Sequence, residues 1–302
     1  MSSQVRRTIA GAVGLAAVAV LLPVVSLPAS SALAPSAAPV SAAPVSAASM
    51  SAASVSAARR TVTPVVQQWR AAAPARVLMG SSVRGHPIVA RRQGPSTAPY
   101  VVLLLGQMHG SEPGGRAVVR ALRRLAPPAQ LQVWSIDTIN PDGARLGTRR
   151  NARKVDLNRN FPHHWRRGYT QRLYFPGPRA ASEPETRAFM AFVDALRPDL
   201  IVSLHQAFRS VDAGIPRART WARRLATAFD LPMTVVPCRG PCAGTLIGWY
   251  NQNFAGYAVT VELTATVPAA RARRYARATL RAARLLVLDQ PPVPTPTPTP
   301  TP

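Results

Sequence analysis

Three residue types are scarce in this chain of 302 residues, which has two cysteines, one lysine and four glutamates. Two cysteines cannot supply the disulfide framework of a small secreted scaffold or a four-cysteine metal site. Cys238 and Cys242 flank Arg-Gly-Pro. In an oxidising compartment so close a pair is expected to form a small-loop disulfide rather than two free thiols or half of a metal site. Because Lys154 is the only lysine, anion recognition falls to arginine, whose planar fork binds carboxylates in bidentate fashion.

The first 34 residues have the layout of a secretory signal. Arg6 and Arg7 precede an uncharged apolar run over residues 9–25, and an Ala-Leu-Ala pattern ends at residue 34. A helix that stays in the membrane is the alternative, since about 20 apolar residues can cross a bilayer. Pro23 interrupts the run, however, and no basic stop sequence follows it directly. We therefore expect cleavage, a secreted or cell-wall-associated protein, and no stable membrane span afterwards.

Two further segments have a composition that does not fold. Residues 35–61 are predicted to be a disordered linker, because their alanine, serine, proline and valine repeats bury too little surface to offset chain entropy. The Pro-Thr alternation within residues 289–302 predicts an extended, disordered tail, since proline fixes φ and has no N–H group to donate. One folded domain is therefore predicted over residues 62–288, which is long enough for one sizeable core.

The chain is strongly basic, with 37 basic and 12 acidic residues and a net charge of +25. Such a surface attracts polyanions, and an exported protein meets anionic cell-wall polymers before it meets nucleic acid. Because nearly all of the basic residues are arginines, coding bias in a GC-rich genome explains the charge at least as well. We expect no specific nucleic-acid partner, and binding to anionic cell-wall polymers stays open.

Apolar runs alternate with amphipathic helical segments along the folded part. This alternation is typical of an α/β sheet that is covered on both faces. In such sheets the functional side chains gather in loops beyond the carboxyl ends of the strands. The predicted strands are Val101–Leu105, Leu131–Ile136, Leu200–Leu204, Met233–Val236 and Ala258–Leu263, and the predicted helices are Pro113–Leu125, Glu183–Leu196, Thr220–Phe229 and Ala269–Leu288.

Histidine and glutamate side chains follow two of these strands. His109 and Glu112 come shortly after the first strand, and His205 directly follows the third. Two imidazoles and a carboxylate form a three-ligand zinc set that leaves one position open, which favours catalysis over a closed structural site. Taken singly, a histidine at a strand end is usually a satisfied polar residue, and a glutamate near a helix start usually interacts with the helix dipole. The remaining histidines lack carboxylates at ligand spacing and are interpreted as surface or loop residues: His86, His163 and His164.

An arginine-rich stretch, NPDGARLGTRRNARKVDLNRNFP, occupies residues 140–162. Its first four residues have turn composition, and its arginines suit the recognition of a substrate carboxylate. The order of motifs around it resembles the zinc metallocarboxypeptidases, and their bacterial murein peptide amidase branch in particular. The motifs are HGSE at 109–112, NPDG at 140–143, TRRNARKVDLNRNFP at 148–162, SEPET at 182–186, His205 and TVEL at 260–263.

This resemblance covers residues 77–288 and implies a single α/β domain with a mixed, largely parallel twisted sheet and helices on both faces. MGSSVRGHPI at 79–88 is similar to the opening strand of the family. The resemblance also implies that one zinc ion per chain is bound by His109, Glu112 and His205. Asp156 would hold His109 in orientation, as metal-bound histidines commonly require.

The resemblance further implies roles for residues that contact the substrate. Arg149 matches the arginine that polarises the scissile carbonyl, and Arg150 takes its place if the register is shifted by one. Asn158 and Arg159 match the pair that grips the terminal carboxylate of the substrate. Glu262 matches the general base, and it is also the one strand-end glutamate that is not a proposed metal ligand. The alternative for Glu262 is a salt-bridged residue at the edge of the sheet.

Three positions depart from the family pattern. The flap tyrosine of digestive members would fall on Gly240, and Tyr250 lies too near the strand to replace it. The position that sets their side-chain preference falls near Ile247, a neutral residue that does not select a charged substrate. Lys154 replaces the usual glycine before Val155.

The leading hypothesis is an exported zinc peptidase that hydrolyses an amide bond next to a free carboxylate, as in murein peptides with a γ-D-glutamyl-diaminopimelate bond. The alternatives are a zinc carboxypeptidase of ordinary peptides, a zinc deacylase of the aspartoacylase kind, and a non-catalytic wall-binding module. The export signal disfavours the deacylase, and the presence of Glu262 and Arg149 disfavours the module. We expect a peptide or muropeptide substrate and a monomer.

Overall fold

The computed structural model describes residues 63–168, 172–237 and 242–289. The predicted signal, the linker, residues 290–302 of the tail and Cys238 lie outside the described residues, so these assignments and the disulfide stay predictions. The helices are α1 (Pro64–Ala72), α2 (Gly114–Leu122), α3 (Pro141–Leu146), α4 (Pro184–Leu196), α5 (Arg219–Phe229), α6 (Leu246–Asn253) and α7 (Ala269–Leu288). The strands are β1 (Arg76–Ser81), β2 (Pro87–Gln93), β3 (Tyr100–Leu105), β4 (Leu131–Ile136), β5 (Leu200–Gln206), β6 (Ser210–Asp212), β7 (Met233–Thr234) and β8 (Tyr257–Leu263). Short 3-10 turns lie at Leu157–Arg159, Arg172–Tyr174 and Pro216–Ala218.

The strands of the described part form one mixed sheet in the order β1-β2-β4-β3-β5-β8-β6-β7. Its centre is parallel, because β3 pairs with both β4 and β5, and β5 pairs with β8. Antiparallel pairs join β1 to β2, β2 to β4 and β6 to β8. The predicted mixed, largely parallel α/β sheet is confirmed. The carboxyl ends of β3, β5 and β8 consequently meet at one edge.

Helices cover both faces of the sheet because its central strands are apolar on both sides. In β3, Val102 and Leu104 belong to one buried cluster, whereas Leu103 and Leu105 belong to the other. The first cluster includes residues of α2, α5 and α7, and the second includes residues of α4 and α6, with Trp69 of α1 packed against it. The alternation of side chains along a strand therefore fixes β3 between two helical layers.

Residues 79–88 do not form a single opening strand, which corrects the expectation from the sequence. Residues 79–81 end β1, residues 87 and 88 begin β2, and a carboxylate from the NPDG motif holds the turn between the two strands. Asp142 accepts hydrogen bonds from the hydroxyl of Ser82 at 2.9 Å and from the backbone N–H of Arg84 at 3.1 Å. It also lies 2.6 Å from Nδ1 of His86. The hairpin is thus anchored to the first turn of α3, at the start of the arginine-rich stretch.

The predicted helices and central strands are confirmed, with shifts of a few residues at their ends. The predicted strand Met233–Val236 is shorter and stops at Thr234, because it lies at the edge of the sheet and pairs only with the short β6. Among the described helices, none combines the length and the apolar character needed to span a bilayer.

Candidate metal centre

The predicted ligands are brought together by neighbouring parallel strands. Leu105, the last residue of β3, pairs with Ser203 of β5, and His205 follows Ser203 by two residues. The loop after β3 carries His109 and Glu112, so it emerges at the same edge of the sheet. All three side chains are buried. The three ligands predicted from the sequence therefore lie close together in the structure.

The nitrogen and carboxylate atoms of this cluster face one another. Nδ1 of His109 lies 2.8 Å from Oε1 of Glu112, and Nδ1 of His205 lies 3.0 Å from Oε2 of the same carboxylate. The two Nδ1 atoms are 3.1 Å apart, and the candidate ligand atoms all lie within 4.8 Å of one another. Two imidazoles and a carboxylate that converge in this way fit a zinc ion with one position left for substrate or water.

Asp156 holds the outer side of the His109 ring. Its Oδ1 atom lies 3.0 Å from Nε2 of His109, which leaves Nδ1 to face the other ligands. The same oxygen accepts a hydrogen bond from the backbone N–H of Asn158 at 2.9 Å. On the other imidazole, the hydroxyl of Ser203 lies 3.3 Å from Nε2 of His205. Asp156 therefore contacts His109 as the family resemblance implied, and its role in orienting the ring stays a prediction.

The electrostatics of the cluster favour a bound cation. Burial alone would raise the pKa of Glu112, but the neighbouring His109 and His205 lower it well below its usual range. Burial would likewise raise the pKa of Asp156, whereas His109 and Arg149 lower it. Burial would lower the pKa of His109, but the two carboxylates outweigh it and raise the pKa. The site therefore holds ionised carboxylates that stabilise positive charge between them.

Arg149 joins the metal cluster to the cavity in front of it. Its Nε atom donates to Oδ2 of Asp156 at 3.0 Å, and its Nη1 atom donates to Oε1 of Glu112 at 3.2 Å. A guanidinium has five N–H donors, so these bonds leave donors that can face a substrate. Arg149 lines the cavity, and Arg150 is not among the residues that line it. The geometry favours the unshifted register, although the role of Arg149 stays a prediction.

Asn158 and Arg159 line the same cavity, and each has a side-chain donor without a partner among the described residues. The side-chain oxygen of Asn158 accepts from the backbone N–H of Leu246 at 3.0 Å, which leaves its amide nitrogen available. Arg159 is 5% exposed, and its Nη1 atom donates to the backbone oxygen of Asn158 at 2.8 Å. Its Nε atom has no partner among the described residues. A buried donor without a partner is what a carboxylate-binding position requires.

Glu262 lies next to the metal ligands on the adjacent strand. In the parallel pair β5–β8 it is directly opposite His205, so the two side chains share one face of the sheet. The residue is 7% exposed, and its Oε2 atom has no hydrogen-bond partner within the described part of the chain. Burial raises the pKa of Glu262, although the nearby His205 opposes this shift. No salt bridge holds it among the described residues, which disfavours the alternative of a paired edge residue.

A cavity of about 620 Å³ opens in front of these residues and contains several side chains that sequence reasoning missed. Tyr174 lies beneath both guanidinium groups, with its ring centre 5.1 Å from Cζ of Arg149 and 5.5 Å from Cζ of Arg159. His163 and His164, interpreted above as ordinary surface or loop residues, line the cavity as well. No spacing rule links them to the ligands, because loop packing alone brings them there.

The positions that depart from the family pattern are only partly described. Gly240 lies outside the described residues. Ile247, the expected position for side-chain preference, lines the cavity. Tyr250 is completely buried and donates a hydrogen bond to the carbonyl of Pro198, so it does not face the substrate. Lys154 adopts a positive φ of 62°, which explains why glycine is the expected residue there.

A parallel-centred α/β sheet with three buried ligands at its edge, beside a carboxylate that has one unpaired oxygen in the described structure, is the arrangement of a metallohydrolase. The sequence model described as zinc carboxypeptidase matches residues 66–211. Murein peptide amidase A from Escherichia coli (strain K12) is 30% identical over 185 residues, which cover 57% of this chain and 75% of that protein. The corresponding amidase of Vibrio campbellii is 32% identical over 199 residues, which cover 61% and 77%. The crystal structure of a murein-tripeptide amidase from Escherichia coli O157 superimposes with a TM-score of 0.59 at 27% identity, over 71% of this chain and 95% of that one.

The chain therefore belongs to the zinc carboxypeptidase family and is a zinc-dependent hydrolase. The mixed sheet is shared with more distant members, including a carboxypeptidase A from Helicoverpa armigera that superimposes with a TM-score of 0.56 at 19% identity, over 78% of this chain and 74% of that one. The metal site at His109, Glu112 and His205 fits this family. The individual roles of the substrate-binding residues and of Glu262 stay predictions.

Proposed function

We propose that this chain is an exported zinc peptidase that hydrolyses an amide bond next to a free carboxylate in murein peptides, such as the γ-D-glutamyl-diaminopimelate bond. The observation that carries the proposal is the position of Glu262, directly opposite His205 and facing a cavity that also contains Asn158 and Arg159. The murein substrates named for its relatives in Escherichia coli and Vibrio campbellii favour this choice over ordinary peptides.

The residues of the chain divide the reaction between them. When bound, zinc polarises a carbonyl and lowers the pKa of a coordinated water. Arg159 and the free amide nitrogen of Asn158 hold the carboxylate of the leaving residue, and this fixes which amide bond lies at the site. Arg149 directs its remaining N–H groups at the carbonyl oxygen as negative charge develops there. Glu262 takes a proton from the attacking water and delivers it to the leaving amine.

Glu262 suits this transfer because its environment changes its affinity for protons. Burial raises the pKa of its carboxyl, so it holds a proton more readily than an exposed glutamate would. A base of raised pKa serves both steps, accepting the proton and then returning it. Glu262 lines the cavity, and its Oε2 atom has no hydrogen-bond partner among the described residues that would compete for the proton.

Export also belongs to the proposal, since murein lies outside the cytoplasm. Support comes from the composition of the first 34 residues, with two arginines before an apolar run. The Ala/Ser/Pro-rich linker and the Pro-Thr tail would then act as spacers between the catalytic domain and the wall. Attraction of the basic surface to anionic wall polymers would keep the enzyme near its substrate.

Digestion of a defined muropeptide tests the proposal. The full-length zinc-loaded protein is incubated with L-alanyl-γ-D-glutamyl-meso-diaminopimelate, and the products are weighed by mass spectrometry. The expected products are free diaminopimelate and the alanyl-glutamate dipeptide. The same tripeptide should be a poor substrate when the diaminopimelate carboxylate next to the scissile amide bond is amidated. The Glu262→Gln variant should release neither product.

Three other substrates distinguish the alternatives in the same assay. Cleavage of an ordinary peptide with a free C-terminus, without cleavage of the muropeptide, would indicate a general carboxypeptidase. Hydrolysis of N-acetylaspartate alone would indicate a deacylase. Retention on purified cell walls without any hydrolysis would indicate a binding module.

A further inference from the structure

An aspartate that no sequence motif identified lines the wall of the cavity. Asp212 is the last residue of β6, and β6 pairs with β8 in the sheet. In that pair Ser210 lies directly opposite Glu262. Asp212 follows Ser210 by two residues and therefore points to the same face of the sheet, about 7 Å farther along the strand. The proposed base and a second carboxylate thus face one cavity.

The two oxygens of Asp212 have different environments. Oδ1 accepts hydrogen bonds from the backbone N–H of Gly214 at 2.9 Å and from that of Val236 at 3.2 Å. Oδ2 has no hydrogen-bond or ion-pair partner among the described residues, and it is not sealed from solvent. One oxygen therefore fixes the position of the side chain, and the other is available to a ligand.

Within the described ranges, Asp212 has no cationic side chain beside it, unlike the exposed acids compared below. Exposed acids elsewhere lie against arginines, as Asp194 lies 3.3 Å from Arg197 and Asp230 lies 3.0 Å from Arg274. With 37 basic residues in the sequence, an acid without such a neighbour in the described structure leaves a negative charge uncompensated. A cationic group of the substrate can fill that position.

The surroundings of Asp212 select the shape of such a group. Ile215, Val235 and Ile247 line the same cavity and give it an apolar wall. An alkyl chain can lie along this wall with its end at the free oxygen of Asp212. A chain that ends in an ammonium satisfies both the apolar surface and the carboxylate.

We propose that Asp212 is a specificity-determining residue that binds the side-chain ammonium of the leaving residue, and so selects diamino acids over apolar ones. This inference rests on the proposed function, because it assumes that the leaving residue occupies this cavity. It differs from the expectation, based on the neutral Ile247, that the pocket does not select a charged side chain.

The test compares two substrates that differ only in that ammonium. γ-D-Glutamyl-diaminopimelate carries it, and γ-D-glutamyl-2-aminopimelate has the same chain and carboxylates without it. Wild-type kcat/KM should be roughly ten-fold higher for the first, a preference between that of an exposed ion pair and that of a buried one. Asp212→Asn keeps a side-chain oxygen for the bonds from Gly214 and Val236 but removes the charge. It should abolish the preference, mainly through KM, by lowering kcat/KM for the diaminopimelate substrate about ten-fold more than for the aminopimelate substrate.

The possible results test the role of Asp212 separately from the proposed function. Asp194→Asn makes the same charge change at an exposed site outside the cavity and should leave the preference intact. An equal loss for both substrates in Asp212→Asn would mean that the residue only holds the turn, and an unchanged preference would remove it from recognition. Both results would overturn the inference and leave the proposed function standing. If the wild type cleaves neither substrate, the proposed function itself fails.

Discussion

Replacement of Glu262 by glutamine is the most direct test of the mechanism. The change is nearly isosteric and removes only the charge and the ability to accept a proton. Glu262 is not among the residues whose atoms converge at the metal site, so the variant should keep its zinc. The fold should also survive, because the side chain makes no salt bridge within the described structure.

The expected loss of turnover depends on whether another carboxylate could replace Glu262 as the base. General acid–base catalysis contributes about 10²–10⁴ in rate, or roughly 3–5 kcal/mol. Glu112 is held by His109, His205 and Arg149, so it is not free to accept a proton. Asp212 lies about 7 Å farther along the sheet. Because no other carboxylate in the described cavity is positioned to substitute, turnover should fall by about 10³ or more.

The glutamine substitution should lower turnover but should not lower the stability of the fold. Burial raises the pKa of Glu262, so its ionised form is less favourable in the folded state than in the unfolded chain. An acid with a raised pKa destabilises the fold as the pH rises above its unfolded value of about 4.3. At neutral pH the glutamine variant, measured without metal, should therefore have a Tm equal to or above that of the wild type.

The assay measures kcat on γ-D-glutamyl-diaminopimelate, zinc content and Tm for both proteins. Glu185→Gln is the matched control, because Glu185 is a fully buried glutamate that does not line the cavity. It should retain normal turnover. Near-normal kcat in Glu262→Gln, or loss of its zinc, would show that Glu262 is not the base and that the mechanism must use another residue.

Three further predictions follow from the same geometry. A His109→Ala, His205→Ala double variant should lose the roughly one zinc per chain that metal analysis finds in the wild type, and unchanged zinc would refute the ligand assignment. Arg159→Ala should cost about 2–5 kcal/mol in kcat/KM on a substrate with a free carboxylate and almost nothing on the amidated substrate; equal losses on both would remove Arg159 from carboxylate recognition. Tyr250→Phe should lower the free energy of unfolding by about 1–3 kcal/mol, since it leaves the carbonyl of Pro198 unpaired, and a loss of turnover in a stable variant would contradict its structural role.

Much of the fold was predictable because the central strands are buried on both sides. Such strands appear in the sequence as short uninterrupted apolar runs, and Val101–Leu105 and Leu131–Ile136 match β3 and β4 within one residue. The helix Ala269–Leu288 was predicted with its observed bounds. Its small and apolar residues recur at helical spacing over 20 residues, long enough for periodicity to be decisive.

The edges of the sheet were not predictable in the same way. β6 has three residues, too few for any alternation of side chains to register, and β7 has only two of the four residues that its apolar run predicted. β1 has exposed and half-buried positions only, β2 has buried residues at its second and fourth positions, and arginines in both strands obscure these patterns. Pairing with neighbouring strands, rather than local composition, makes these segments extended.

The metal ligands were predictable from spacing, whereas the substrate-facing groups were not. His109, Glu112 and His205 lie at or just after strand ends, so topology alone brings them together. Tyr174 comes from a loop that packs under two arginines, and no linear spacing encodes that contact. Asp212 is the last residue of a strand that was itself missed.

The basic composition of the chain makes its acids unusually informative. Where arginine is abundant, a carboxylate on the surface readily finds a cation, as Asp137 does with Arg123 at 2.7 Å. A carboxylate without a cationic partner in the described structure needs another reason for its position. Glu262 and Asp212 are two such acids, and both face the cavity in front of the metal ligands. Charge balance alone can explain the paired acids, so these two are the ones from which chemistry can be inferred. Glu262 is inferred to transfer the proton of the reaction, and Asp212 is inferred to bind a positive charge on the substrate.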